Sequence, residues 1–166
     1  MTDSILPDVL EPGLKVVFCG TAAGHASART GAYYAGPGNR FWPTLYRIGL
    51  TPRLLQPNEY REVLAYGIGL TNMVPNAVGL DKDLKAADFA PDIFGEKMLR
   101  HAPRCIAFNG KKAASAFYGS STAALRYGLQ VEAFGGAAVF VLPSTSGAAQ
   151  GFWDEGQWRA LADYLG

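Results

Sequence analysis

A chain of 166 residues with 49% apolar and 17% charged side chains can bury a sizeable core, which excludes an intrinsically disordered segment. By length, residues 1–166 read as one domain. The formal net charge of +1 excludes a globally basic surface, so a nucleic-acid partner must be held by a local patch.

Residues 15–19 read as a strand buried on both faces, since the apolar residues Val16 to Cys19 run without alternation. The stretch 20–39 is so rich in Gly, Ala and Tyr that it reads as a long ordered loop, which in a compact domain is usually functional. Residues 40–49 read as a helix with Phe41, Trp42, Leu45 and Ile48 inward, and residues 58–66 also have helical spacing. A second strand and a following loop occupy 67–74, and 75–88 is a polar connection. Asp88 can cap a helix over 89–101 that turns Ile93, Phe94, Met98 and Leu99 to one face. A third strand, 105–108, opens at Asn109-Gly110 into a helix over 111–118. A fourth strand, 137–142, runs into Pro143-Ser144-Thr145-Ser146-Gly147, and a helix over 154–165 follows. Strands alternating with helices predict a three-layer α/β/α sandwich around a mainly parallel, four-stranded sheet. In such a sheet the loops at the carboxyl ends of the strands share one edge, where ligands bind. Residues 20–24, 71–74, 109–110 and 144–147 are then expected to line one cleft.

Cys19 and Cys105 sit in apolar strand-like runs and read as buried thiols; two cysteines cannot ligate an iron–sulfur cluster on their own. No apolar run is long enough to span a membrane, and residues 1–12 carry no signal-peptide core, so the expectation is a cytoplasmic protein with no membrane partner.

Four segments carry the chemistry. They are Gly20-Thr21-Ala22-Ala23-Gly24 with the aromatic run from Gly31 to Trp42; Tyr66-Gly67-Ile68-Gly69-Leu70-Thr71-Asn72-Met73-Val74 with Lys82-Asp83-Leu84; Ile106-Ala107-Phe108-Asn109-Gly110-Lys111; and Leu142-Pro143-Ser144-Thr145-Ser146. In this order and spacing the chain resembles the uracil-DNA glycosylase superfamily. The likeness is greatest to the mismatch-specific uracil/thymine-DNA glycosylases, with features of the hypoxanthine-DNA glycosylases. It departs at one position, where Ala22 stands in place of the first segment's catalytic asparagine.

The resemblance implies a monomeric, monofunctional DNA glycosylase that works without metal or other cofactor on uracil-containing DNA, single- or double-stranded. A base inside a duplex must be flipped into a pocket to be reached. Base-binding positions carried over from the family, or read from the turns, are Gly20, Thr21, Ala22, Tyr33, Tyr34, Asn72 and Asn109. Tyr34 falls at the stacking position. Asn72 falls at the base-reading position, where an amide can donate and accept at once. Ala22 cannot hold the attacking water, so the catalytic role passes to Asn39 first, with His25 and Ser144 as alternatives. Asn39 also suits a helix cap. Arg40, Lys111, Ser146, Gly147 and Ala148 are the expected DNA contacts. Ala148, at the place of the family's groove-filling wedge, is too small to pry a duplex apart and so favours single strands or unstable pairs.

Overall fold

β1 (Val16–Gly20) and β3 (Cys105–Asn109) are buried at every position, because the sheet they belong to is covered on both faces. The computed structural model describes residues 4–166. Its sheet has five strands in the order β2-β1-β3-β5-β4, with β2 at Ile68–Asn72, β4 at Gly128–Leu129 and β5 at Ala138–Leu142. All neighbours are parallel except β4, which runs antiparallel to β5.

The pleat sends alternate residues of β1 into two cores. Val16 and Phe18 join Phe41, Trp42 and Leu45 of α2 (Phe41–Arg47) and Trp158 and Leu161 of α5 (Glu155–Leu165). Val17 and Cys19 join Phe94 and Met98 of α3 (Pro91–His101) and Ala113 and Ala114 of α4 (Lys111–Tyr118). Phe18 stacks on Trp158 at 5.5 Å and meets Phe41 edge-on at 5.3 Å. Such aromatic pairs add about 0.5–1.5 kcal/mol each beyond the area they bury. The layers are therefore the α/β/α sandwich expected, with a short fifth strand added.

Several local expectations are corrected. The stretch 20–39 contains a short helix, α1 (His25–Thr30), ended by Gly31 in the left-handed region. Asp88 does not cap α3. Its carboxylate accepts from the Lys85 N–H and closes a separate 3-10 turn, and α3 starts after Ala90 with Pro91 in its first turn. That start turns Phe94, Gly95 and Met98 inward and leaves Ile93 and Leu99 more than half exposed. Residues Pro57–Tyr66 wind as 3-10 rather than α-helix. Asp154 caps α5 by accepting from the Gly156 N–H. Both cysteines are free and buried, and burial pushes the Cys105 thiol up to about 12 and the Cys19 thiol further still.

Candidate active site

The ends of β1, β2, β3 and β5 open on one edge of the sheet, around a cavity of about 690 Å³. Of the positions expected to line it, Gly20, Thr21, Ala22, His25, Tyr33, Tyr34, Asn39, Asn72, Asn109, Ser144, Ser146, Gly147 and Ala148 all do. Arg40 and Lys111 do not, and neither do Gly110 or Thr71, Met73 and Val74, the last three being buried in the fold. The Arg40 guanidinium lies over the Trp153 ring at 5.3 Å, and the Lys111 ammonium lies over Tyr127 at 4.5 Å.

The turn after β1 is fixed by its carbonyls. Gly20, Thr21 and Ala23 accept from the N–H groups of Met73, Val74 and Gly79 at 2.8, 2.7 and 3.0 Å. Gly20 itself is set by crowding. A Cβ there would stand 2.9 Å from Asn72 Oδ1 and 2.9 Å from Tyr34 Oη, so only hydrogen fits beneath the two side chains.

Tyr34 adopts φ +54°, a region that costs a non-glycine residue about 1–3 kcal/mol and tends to mark functional sites. The strain is held in place from both sides. Its ring stacks on Phe41 at 4.0 Å, and the next residue, Ala35, donates its N–H to Ser27 Oγ of α1. The Tyr34 hydroxyl is buried and has no hydrogen-bond partner among the described residues. Burial raises its pKa, with Asn109 pulling the other way, so it stays protonated and able to donate. Asn72 offers its side-chain amide at the same end of the cavity, free of hydrogen bonds among the described residues.

Other expected residues are already engaged. Tyr33 is 1% exposed, donates its hydroxyl to the Pro7 carbonyl and packs on Tyr60, so it is wall rather than reader. Asn109 exchanges two hydrogen bonds with Thr145, donating to its hydroxyl and accepting from its N–H, both at 3.0 Å. This ties the loop after β5 to the end of β3. Gly110, at φ +102°, lets the chain turn into α4 under Ser144. Ser144 and Ser146 accept from the N–H groups of Ser146 and Ala148, which shapes that loop. The Arg40 N–H donates to the Thr145 carbonyl and joins the loop to the start of α2.

Asn39 accepts from the Phe41 N–H at 3.0 Å one residue before Arg40, which is the N-cap of α2, so it braces the helix start without being the cap itself. Asn39 also lines the cavity. His25 lines the rim and is exposed. Ala148 is exposed at the mouth, in the 3-10 segment Gly147–Phe152. One group missing from the sequence expectations also lines the cavity. It is Asp81, in a 3-10 turn of the polar connection. Desolvation raises its pKa, with the Thr21 hydroxyl and Lys112 acting the other way.

No group of three or more His, Cys, Asp or Glu side chains comes together among the described residues, so none offers a metal-binding set. No helix there is long and apolar enough to cross a membrane.

The family model of the uracil DNA glycosylase superfamily matches residues 7–162, nearly the whole chain. The chain belongs to the uracil DNA glycosylase superfamily. The fold agrees. A solution NMR structure of a protein from Methanosarcina acetivorans, provisionally assigned as a uracil DNA glycosylase, superposes with a TM-score of 0.63. It is 22% identical, and the match covers 96% of either chain. The cavity at the carboxyl edge of the sheet is thus the candidate base pocket of a superfamily member whose substrate is DNA.

Proposed function

We propose that the protein is a monofunctional uracil-DNA glycosylase that flips uracil, with other deaminated bases as further substrates, out of DNA and hydrolyses the glycosidic bond to leave an abasic site. The observation that carries this reading is the convergence of two polar groups at one point of the cavity wall. The unpartnered Tyr34 hydroxyl and the free Asn72 amide both lean over Gly20. A buried hydroxyl without a partner is costly, about 1–3 kcal/mol, and a bound base edge relieves that cost. An amide beside it can donate and accept at once, which suits the N3–H and O4 edge of uracil. Bond cleavage builds positive charge on the sugar and negative charge on the departing base, an oxocarbenium-like course. Asn39 lines the same cavity, which supports a role in holding water or the leaving base.

The test is a labelled oligonucleotide containing one uracil, incubated with excess enzyme and then treated with alkali to cleave abasic sites. Alkali-labile product well above a buffer control is expected, with single-stranded substrate cut at least as fast as a paired one because Ala148 is a weak wedge. An absence of product on both substrates refutes the reading. Ala22 favours a second reading, a module that binds damaged bases without cutting them. That reading predicts retention of the same oligonucleotide in a binding assay with no cleavage.

A further inference from the structure

Ala22 leaves the first turn without a polar side chain at that position, and of the residues expected to compensate only His25, exposed at the rim, carries a group that can accept a proton. Asn39 and Asn72 are amides, which do not accept a proton near neutral pH. The Ser144 oxygen accepts from the Ser146 N–H. Among the described residues, Asp81 is the one carboxylate that lines the cavity.

We propose that the Asp81 carboxylate holds the attacking water, the role that Ala22 leaves vacant, and also takes its proton. This rests on the reading of the protein as a glycosylase. Asp81 is itself exposed to solvent, and three features hold it at the cavity. Segment 73–79 is tied to the first turn at Gly20, Thr21 and Ala23, the last bond coming from Gly79, only two residues before Asp81. The turn Asp81–Asp83 is closed by the Asp83 carboxylate, which accepts from the Leu80 N–H at 3.1 Å. Thr21 and Ala22 of the first turn line the same cavity as Asp81.

The step balances. The bond between the base nitrogen and C1′ breaks, and its electron pair leaves with the base. The water oxygen bonds to C1′, and one water proton moves to the Asp81 carboxylate. That proton then passes to the base anion, directly or through solvent, and the carboxylate is restored. Desolvation raises the Asp81 pKa, which makes it a better base than a free aspartate. The ionisable groups around it are Lys82 and Asp83 in its own turn, His25 at the start of α1 and Lys112 on α4.

The experiment is single-turnover excision of uracil by wild type, Asp81→Asn and Asp81→Glu across pH 4–9. Binding to an abasic oligonucleotide and thermal unfolding are followed in parallel. Losing a positioned base costs on the order of 10²–10⁴-fold, so Asp81→Asn should fall by that factor with folding and abasic binding kept. The wild-type rate should drop toward acid, as the carboxylate protonates, at a pH above that at which a free aspartate titrates. Asp81→Asn should lose this acid limb, and Asp81→Glu should regain part of the rate and the limb. An Asp81→Asn rate within about threefold of wild type, or the same acid limb in that variant, overturns the proposal while leaving glycosylase activity intact. A wild type that releases no base overturns both readings.

Discussion

Gly20→Ala is the most informative single substitution, because it adds one methyl group at the point where the two proposed base readers converge. Gly20 is the last residue of β1 and does not need a left-handed backbone, so alanine is acceptable to the chain itself. The difficulty is contact. The new Cβ would stand 2.9 Å from Asn72 Oδ1 and from Tyr34 Oη, where ordinary contact begins at 3.4 Å. Tyr34 has little freedom to retreat, because its ring lies on Phe41 at 4.0 Å. Asn72 is therefore the group that swings away. Overpacking of this kind costs about 1–3 kcal/mol. In a chain of this size each kcal/mol moves Tm by about 2–4 °C, so the variant should still be folded. The larger effect is on catalysis. A reader displaced by ~1 Å can lower the rate by ~10²-fold. Single-turnover excision should fall by about 10–100-fold, with Tm lowered by a few degrees. Wild-type excision together with an unchanged Tm would show that the base does not lie over Gly20, and the assignment of Tyr34 and Asn72 would fail with it.

Two other substitutions separate roles that overlap in one residue. Asn39→Asp keeps the oxygen that accepts from the Phe41 N–H but removes the amide donor, so Tm should hold within a few degrees while excision drops by ~10²-fold or more; equal loss of both would reduce Asn39 to a brace of the helix start. Asn109→Ala leaves the Thr145 N–H without its acceptor, so unfolding should become easier by about 1–3 kcal/mol and KM should rise as the loop loosens, whereas a change in kcat alone would point to direct contact with the base.

The sheet was readable because its inner strands are continuous apolar runs bounded by turns, as strands covered on both faces must be. The gathering of four loops at one edge followed from that topology, and the cavity is where they meet. What escaped the sequence has physical reasons. β4 is two residues long, too short to show a pattern. α1 is one and a half turns of mostly small and polar residues, without an apolar stripe. Ile93 and Leu99 have helical spacing with Phe94 and Met98, but the start of α3 after Ala90 rotates them outward. Asp81, in the run Asp81-Lys82-Asp83, looks like any solvated charge cluster. Only the bonds that fold residues 73–79 back against Gly20–Gly24 bring it to the cavity. Asn109 shows the opposite case, a correctly located residue whose amide is spent on holding Thr145.

Trp158 lies in the last helix, yet its indole N–H donates to the Pro143 carbonyl, the residue that leads β5 into the Ser144–Ala148 loop. The same indole stacks on Phe18 in the middle of β1. A growing chain therefore has the first turn, the Asn72 arm and the β3 end available long before the residue that secures the fourth wall. The pocket cannot mature piece by piece during synthesis. The bond that anchors its fourth wall forms only once α5 has docked.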